Sequence, residues 1–152
     1  ANARTEFKID ANGAITQPSQ PAFCATLTGQ NPIPNSFTDI AFTEIFDQSS
    51  DASSPSFEAP VTGRYLFNFQ TFGYGVTAGD DVQTKLVTSN RSWIFLGLRS
   101  SNDTTRWMAS GSVLTDMDDC DTAKLQIING DAARGEMSGS VGYSFFSGHL
   151  VA

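Results

Sequence analysis

Charge is scarce in this chain. Only 16% of its 152 residues are charged, well under the usual quarter or so. Lys and Arg together number nine and acids sixteen, which leaves a net charge of −7 and a pI near 4.4. Binding to phosphate backbones needs clustered cations; the few here are scattered, so nucleic acid is excluded as a partner. Histidine occurs once, as His149, and cysteine twice, as Cys24 and Cys120. Two cysteines make no disulfide framework, and unpaired thiols are favoured over a bridge, with Cys24 in a strand-like run and Cys120 in an acidic turn. A Ser-His-Asp arrangement could draw its base only from His149, whose place in the last strand favours a structural or exposed role. No Gly-x-Ser-x-Gly elbow, P-loop, dinucleotide fingerprint or Cys-x-x-Cys occurs, and zinc would lack a second imidazole. A pair of acids for glycoside hydrolysis would have to be assembled from loops. No enzyme and no cofactor are therefore expected. No apolar run approaches the roughly 18 residues that span a bilayer, so no membrane is expected as a partner. The start lacks a basic-then-apolar leader. Because an initiator Met is readily removed before Ala1, a complete product made in the cytoplasm is expected.

What is abundant is aromatic and polar. Aromatics reach 11%, with twelve Phe, inside an apolar total of 39%. The length suits one domain with a full core. Low charge with many Ser, Thr, Asn and Gly is the surface style of extracellular or virion β-proteins. Residues 57–69 are the most informative stretch: Pro60 and Gly63 punctuate the backbone, then Tyr65, Phe67 and Phe69 alternate with Arg64, Leu66 and Asn68. Period-two aromatics after a Pro–Gly turn predict a strand laying its rings on one face. Its other positions, such as Leu66 and Phe72, are not uniformly polar, which predicts a central strand covered in part on both faces. Near the start, Asn12-Gly13 between Phe7–Ile9 and Ala14–Thr16 is a strong hairpin signal, because both turn residues accept positive φ. Pro18 and Pro21 then interrupt pairing, so residues 1–20 read as an arm and hairpin, and residues 21–152 as the main domain. Further strands are predicted at 22–28, 36–46, 64–74, 81–88, 92–98, 107–117, 122–128 and 141–151, with a short one near 56–59. No window keeps helical spacing. Many short strands separated by Gly, Pro, Asn and Asp turns predict an all-β sandwich or jelly roll.

A few residues invite chemistry. Asp116, Asp118, Asp119 and Asp121 place four carboxylates within six residues, and oxygen ligands at that density could hold Ca²⁺. The segment lacks the Gly and closing Glu of an EF-hand loop, and Asp-rich turns are commonly just solvated, so no metal is expected. Asn90-Arg91-Ser92 and Asn102-Asp103-Thr104 fit the N-glycosylation pattern but read as ordinary loops. Trp93 and Trp107 lie in apolar runs, which favours core or interface packing over a sugar platform.

Residues Phe57-x-Ala59-Pro60-x-x-Gly63-x-Tyr65-x-Phe67-x-Phe69 resemble the signature of the C1q/TNF-like jelly-roll superfamily. The closing Phe146-Ser147-Gly148-His149-Leu150 is similar to that family's last strand, and Gln20-Pro21-Ala22-Phe23 to its first. Ser110–Leu114, an acidic turn and Ala123–Ile127 resemble its late hairpin. The chain departs from the pattern where the family usually has Gly-Asp and this sequence has Asp118-Asp119-Cys120-Asp121, and it has no collagen stem. The hairpin with Thr16-Gln17-Pro18-Ser19-Gln20-Pro21-Ala22-Phe23 looks like the C1q-like head domains of tailed-bacteriophage structural proteins. What the resemblance implies is a compact homotrimer.

On that basis the first expectation is a virion structural protein: a homotrimeric knob that decorates or cements a phage capsid at the virion surface. Its arm, through Phe7, Ile9 and Ile15, would bind the major capsid protein or another virion protein. The alternative is the receptor-binding tip of a tail fibre or spike, recognising a host surface receptor through loops 74–81 or 99–105. A secreted C1q/TNF-like ligand or lectin is more remote.

Overall fold

The computed structural model describes residues 7–48, 51–98, 105–140 and 142–151. Those residues form strands and turns without a helix. In chain order the strands are β1 (Lys8–Ile9), β2 (Ile15–Thr16), β3 (Ala22–Thr26), β4 (Asn31–Pro32), β5 (Thr38–Asp39), β6 (Thr43–Asp47), β7 (Ala52–Ser53) and β8 (Ser56–Glu58). They continue with β9 (Gly63–Tyr74), β10 (Val82–Thr88), β11 (Ser92–Leu96), β12 (Trp107–Met117), β13 (Thr122–Asn129), β14 (Glu136–Met137) and β15 (Phe145–Leu150). Two antiparallel sheets face one another. One runs β12-β9-β15-β3-β6, with the β14–β4 pair continuing beside the end of β9. The other runs β11-β10-β13-β8-β7, with β5 also bonded to β13. The expected jelly-roll sandwich is present.

The aromatic strand is β9, central in its sheet. Tyr65, Phe67 and Phe69 point into the core and are buried, while the residues between them are partly covered. Against them stack Phe23, Phe57 and Phe146: Phe23 lies 4.8 Å from Phe57 and 5.0 Å from Phe146, and Phe67 lies 5.7 Å from Phe146. Such pairs add about 0.5–1.5 kcal/mol each beyond area burial. Gly148 makes the cluster possible. A Cβ there would come within 2.6 Å of the Phe67 ring and 2.7 Å of the Phe23 ring. The turn before β9 is held by the Tyr65 hydroxyl, which donates to the Val61 carbonyl at 2.8 Å. Trp107 is fully buried and Trp93 packs at the core margin, so neither forms an exposed platform.

Two predicted spans come out differently. Residues 36–46 form no single strand: β5 joins one sheet and β6 the other, and Ile40 and Phe42 bury their side chains as the chain crosses between them. The last span shortens to β15, because residues 142–144 form a turn in which Ser144 is buried. Both cysteines are free, and burial pushes the Cys24 thiol up from its ordinary pKa.

Candidate assembly face

Strand periodicity gives each sheet an outward surface, and the two surfaces differ in charge. On β10 and β13 the outward side chains include Lys85 and Lys124. Lys124 pairs with Asp39 at 2.8 Å and Lys85 sits 3.9 Å over the Phe37 ring. The β10–β13 part of that surface carries charge, while the β11 edge beside it carries Ile94 and Leu96.

The opposite surface is laid down by β12, β9, β15 and β3 in register. One row is Leu114, Leu66, His149 and Ala22; the next is Ser112, Asn68, Ser147 and Cys24; the third is Ser110, Gln70, Phe145 and Thr26. Met108 beside Phe72 follows, and Tyr143 packs on Phe72 at 4.8 Å. None of these residues is Asp, Glu, Lys or Arg. Charge returns at both ends: beyond the first row Arg64 lies opposite Asp116, itself bonded to Arg91 at 2.9 Å, and beyond Phe72 Glu136 stands opposite Tyr74, whose ring lies 6.0 Å from the Arg106 guanidinium. In a chain with a net charge of −7, an uncharged sheet surface holding exposed Leu114 and Met108 marks a surface made to be covered.

A second apolar strip lies at the β11–β12 side. Leu98 and Met108 exchange backbone hydrogen bonds of 2.7 and 3.0 Å there, joining the two sheets. Ile94, Leu96 and Leu98 point outward and are more than half exposed. At the far edge of the first sheet, Ile45 and Phe46 on β6 are exposed too. Apolar patches at opposite lateral ends of one molecule suit a head-to-tail contact, the kind that closes into a ring.

The hairpin β1–β2 has a face of its own. Ile9 stands opposite Ile15 in register, and Phe7 immediately precedes β1; they are 53%, 60% and 61% exposed for Phe7, Ile9 and Ile15. The Asp10 carboxylate accepts from the backbone of Asn12 and Ala14 at 2.8 Å, shaping the Asn-Gly turn. The connection onto the main domain is tied by side-chain amides: Gln48 donates to the carbonyls of Gln17 and Pro18, and Gln20 to that of Leu150. Between hairpin and sheet runs a groove of about 680 Å³, reached by Ile15, Ala22, Phe46, Gln48 and His149.

The acidic turn does not gather its carboxylates. Asp116 faces Arg91, and Asp121 accepts from the Asp118 backbone at 2.9 Å and from Asn90 at 2.8 Å. Among the described residues no three of His, Cys, Asp and Glu come together as metal ligands would. The turn has a structural use instead. The Asp119 backbone donates to the Thr62 hydroxyl at 3.0 Å, and Cys120 and Ala59 pair through their backbones, locking this turn to the one that starts β9. In loop 74–81, Asp80 is pinned rather than displayed. Arg134 and Asn129 donate to its buried carboxylate, as does the Thr77 backbone, and the Arg134 hydrogen bond foremost holds the acid well below the usual carboxylate range. Loop 99–105 lies almost wholly outside the described residues, as does Asn102-Asp103-Thr104.

Sequence reasoning missed the uncharged face and the Ile94–Leu96–Leu98 strip. A signal for the strip was present, since 93–96 is apolar at odd and even positions alike, more than a strand facing water on one side requires.

Comparison with known proteins bears on the fold. The globular domain of zebrafish complement 1qA protein superposes with a TM-score of 0.65 at 18% identity, covering 87% of this chain and 98% of that one. Murine APRIL gives 0.63 at 14% identity, covering 87% and 99%. Eiger TNF from S. frugiperda gives 0.64 at 10% identity, covering 88% and 94%. At such identities the likeness is one of fold. No curated protein matches the chain. The C1q domain family matches residues 22–151, and the chain belongs to that family.

Proposed function

We propose that this protein is a non-catalytic structural module: a homotrimeric knob on the virion surface that decorates and cements a phage capsid. The observation that carries the trimer is the uncharged face of β12, β9, β15 and β3, framed by charge but free of it. Covering an exposed Leu such as Leu114 contributes about 1.5–3 kcal/mol before the costs of ordering and association. The hairpin supports the anchoring half of the reading. Phe7, Ile9 and Ile15 are apolar and more than half exposed beside the described residues, and a major capsid protein or another virion protein would cover them. A second reading, a secreted C1q/TNF-like ligand or lectin, draws support from the likeness to complement and TNF-type folds. A receptor-binding tip uses the same trimer and differs in its partner.

Light scattering tests the trimer: a mass near three times 16.3 kDa is expected, and a stable monomer overturns it. Adding the protein to undecorated particles is expected to raise their melting temperature. Absence of shell binding together with binding to host cells moves the assignment to the receptor role. Deleting residues 1–20 is expected to abolish shell attachment and to leave the trimer intact; attachment that survives the deletion overturns the arm's role.

A further inference from the structure

We infer that assembly is gated by pH through His149, an inference that rests on the self-assembly reading above. His149 is the sole histidine of the chain. It stands on β15 in the row of Leu114, Leu66 and Ala22, in the surface from which Asp, Glu, Lys and Arg are missing. Among the described residues the neighbouring groove adds no charge of its own: with His149 it is lined by Ile15, Gln17, Gln20, Phe46, Gln48 and Ser147. An imidazole is the one ordinary side chain whose charge changes between pH 5 and 8, so among the described residues it is the only side chain on this surface able to convert it from neutral to cationic in that window.

The charges nearest in the fold do not rescue the cation. On β9 the next outward residue beyond Leu66 is Arg64, itself a cation; on β12 the next is Asp116, already bonded to Arg91. Strand β3 contributes Cys24 as its only ionisable group. On β6 Asp47 accepts from the Ala52 backbone at 2.7 Å, and Glu44 stands one row away opposite Ala25. The hairpin contributes Lys8 and Asp10, the latter occupied by its own turn.

A second copy seated over this row removes water from the imidazole, and desolvation disfavours the charged form. Assembled subunits then hold fewer protons than free ones. By linkage, assembly is at full strength above the ordinary histidine pKa of about 6.5 and weakens as pH falls below it.

Sedimentation velocity at pH 7.5 and 5.5, with far-UV circular dichroism to follow the fold, tests this. The dissociation concentration is expected to rise at least about tenfold between the two pH values, with unchanged secondary structure. His149→Phe, or His149→Gln should Phe not be accommodated, is expected to make assembly indifferent to pH over that range. His149→Lys is expected to be monomeric and folded at pH 7.5. Equal assembly at both pH values, or both neutral variants dissociating as the wild type does, would overturn the switch. A wild type that is monomeric at pH 7.5 at every concentration overturns the assembly reading instead.

Discussion

Cys120 sits at φ +70°, the left-handed region that disfavours any residue bearing a Cβ. It occupies the acidic turn where the resembling family usually carries Gly-Asp. Cys120→Gly is therefore expected to raise the melting temperature by about 2–4 °C in thermal unfolding. The same turn's carboxylates point to separate partners, and melting curves in Ca²⁺ and in chelator are expected to coincide. Asp80 governs a different response. Its carboxyl is held well below the unfolded value by Arg134, so its contribution is fully present above about pH 4 and is lost as the pH falls further. Asp80→Asn is expected to cost on the order of 2 kcal/mol at pH 7 and to flatten the loss of stability below pH 4, as read by urea unfolding across pH. That window lies below the one in which His149 acts, so the two acid effects are separable. None of these roles is legible from residue identity. An Asp beside Asp81 in a Gly-containing loop reads as turn chemistry, and only the approach of Arg134, 54 positions away, makes it a structural anchor.

At the scale of elements, local signals worked where strands are long and fully periodic. β12 spans the predicted 107–117, and β9 extends the predicted 64–74 by a single residue. Asn12-Gly13 gives its hairpin because the turn residues settle the matter locally. The two-residue strands β4, β7 and β14 were invisible, since two residues carry no period and β4 even contains Pro32. The span 36–46 misled for a related reason: apolar residues continue through it although the chain changes sheets at Ile40 and Phe42. The closing Phe146-Ser147-Gly148 shows an element argued down to single atoms. Phe146 enters the core, Ser147 faces outward, and the missing Cβ of Gly148 admits two rings. Gly148→Val is expected to destabilise the fold by about 1–3 kcal/mol through overpacking. Phe57→Ala, which empties the centre of the aromatic cluster, is expected to cost about 3–5 kcal/mol. Chemical unfolding measures both.

For the whole molecule, the decisive contrast is between a sheet surface with charge and one without. If the uncharged surface is the one that copies share, a carboxylate in the middle of it disrupts assembly without touching the core. Leu66→Glu and Leu114→Glu are each expected to give folded monomers by sedimentation, with circular dichroism like the wild type; a trimer retained in both moves the interface elsewhere. The sequence by itself determined the long strands, their inward rings, the hairpin and the family resemblance, because alternation and turn chemistry act over a few residues. It also set the expectation against nucleic acid, since scarce and scattered cations are a matter of composition. Only the tertiary structure decided which outward residues stand side by side. Leu66, Leu114, His149 and Ala22 form one row although they come from four distant segments. Period two assigns a side chain to one face or the other of its own strand. Whether that face meets water or another copy depends on its neighbours across the sheet, and these are set by strand order.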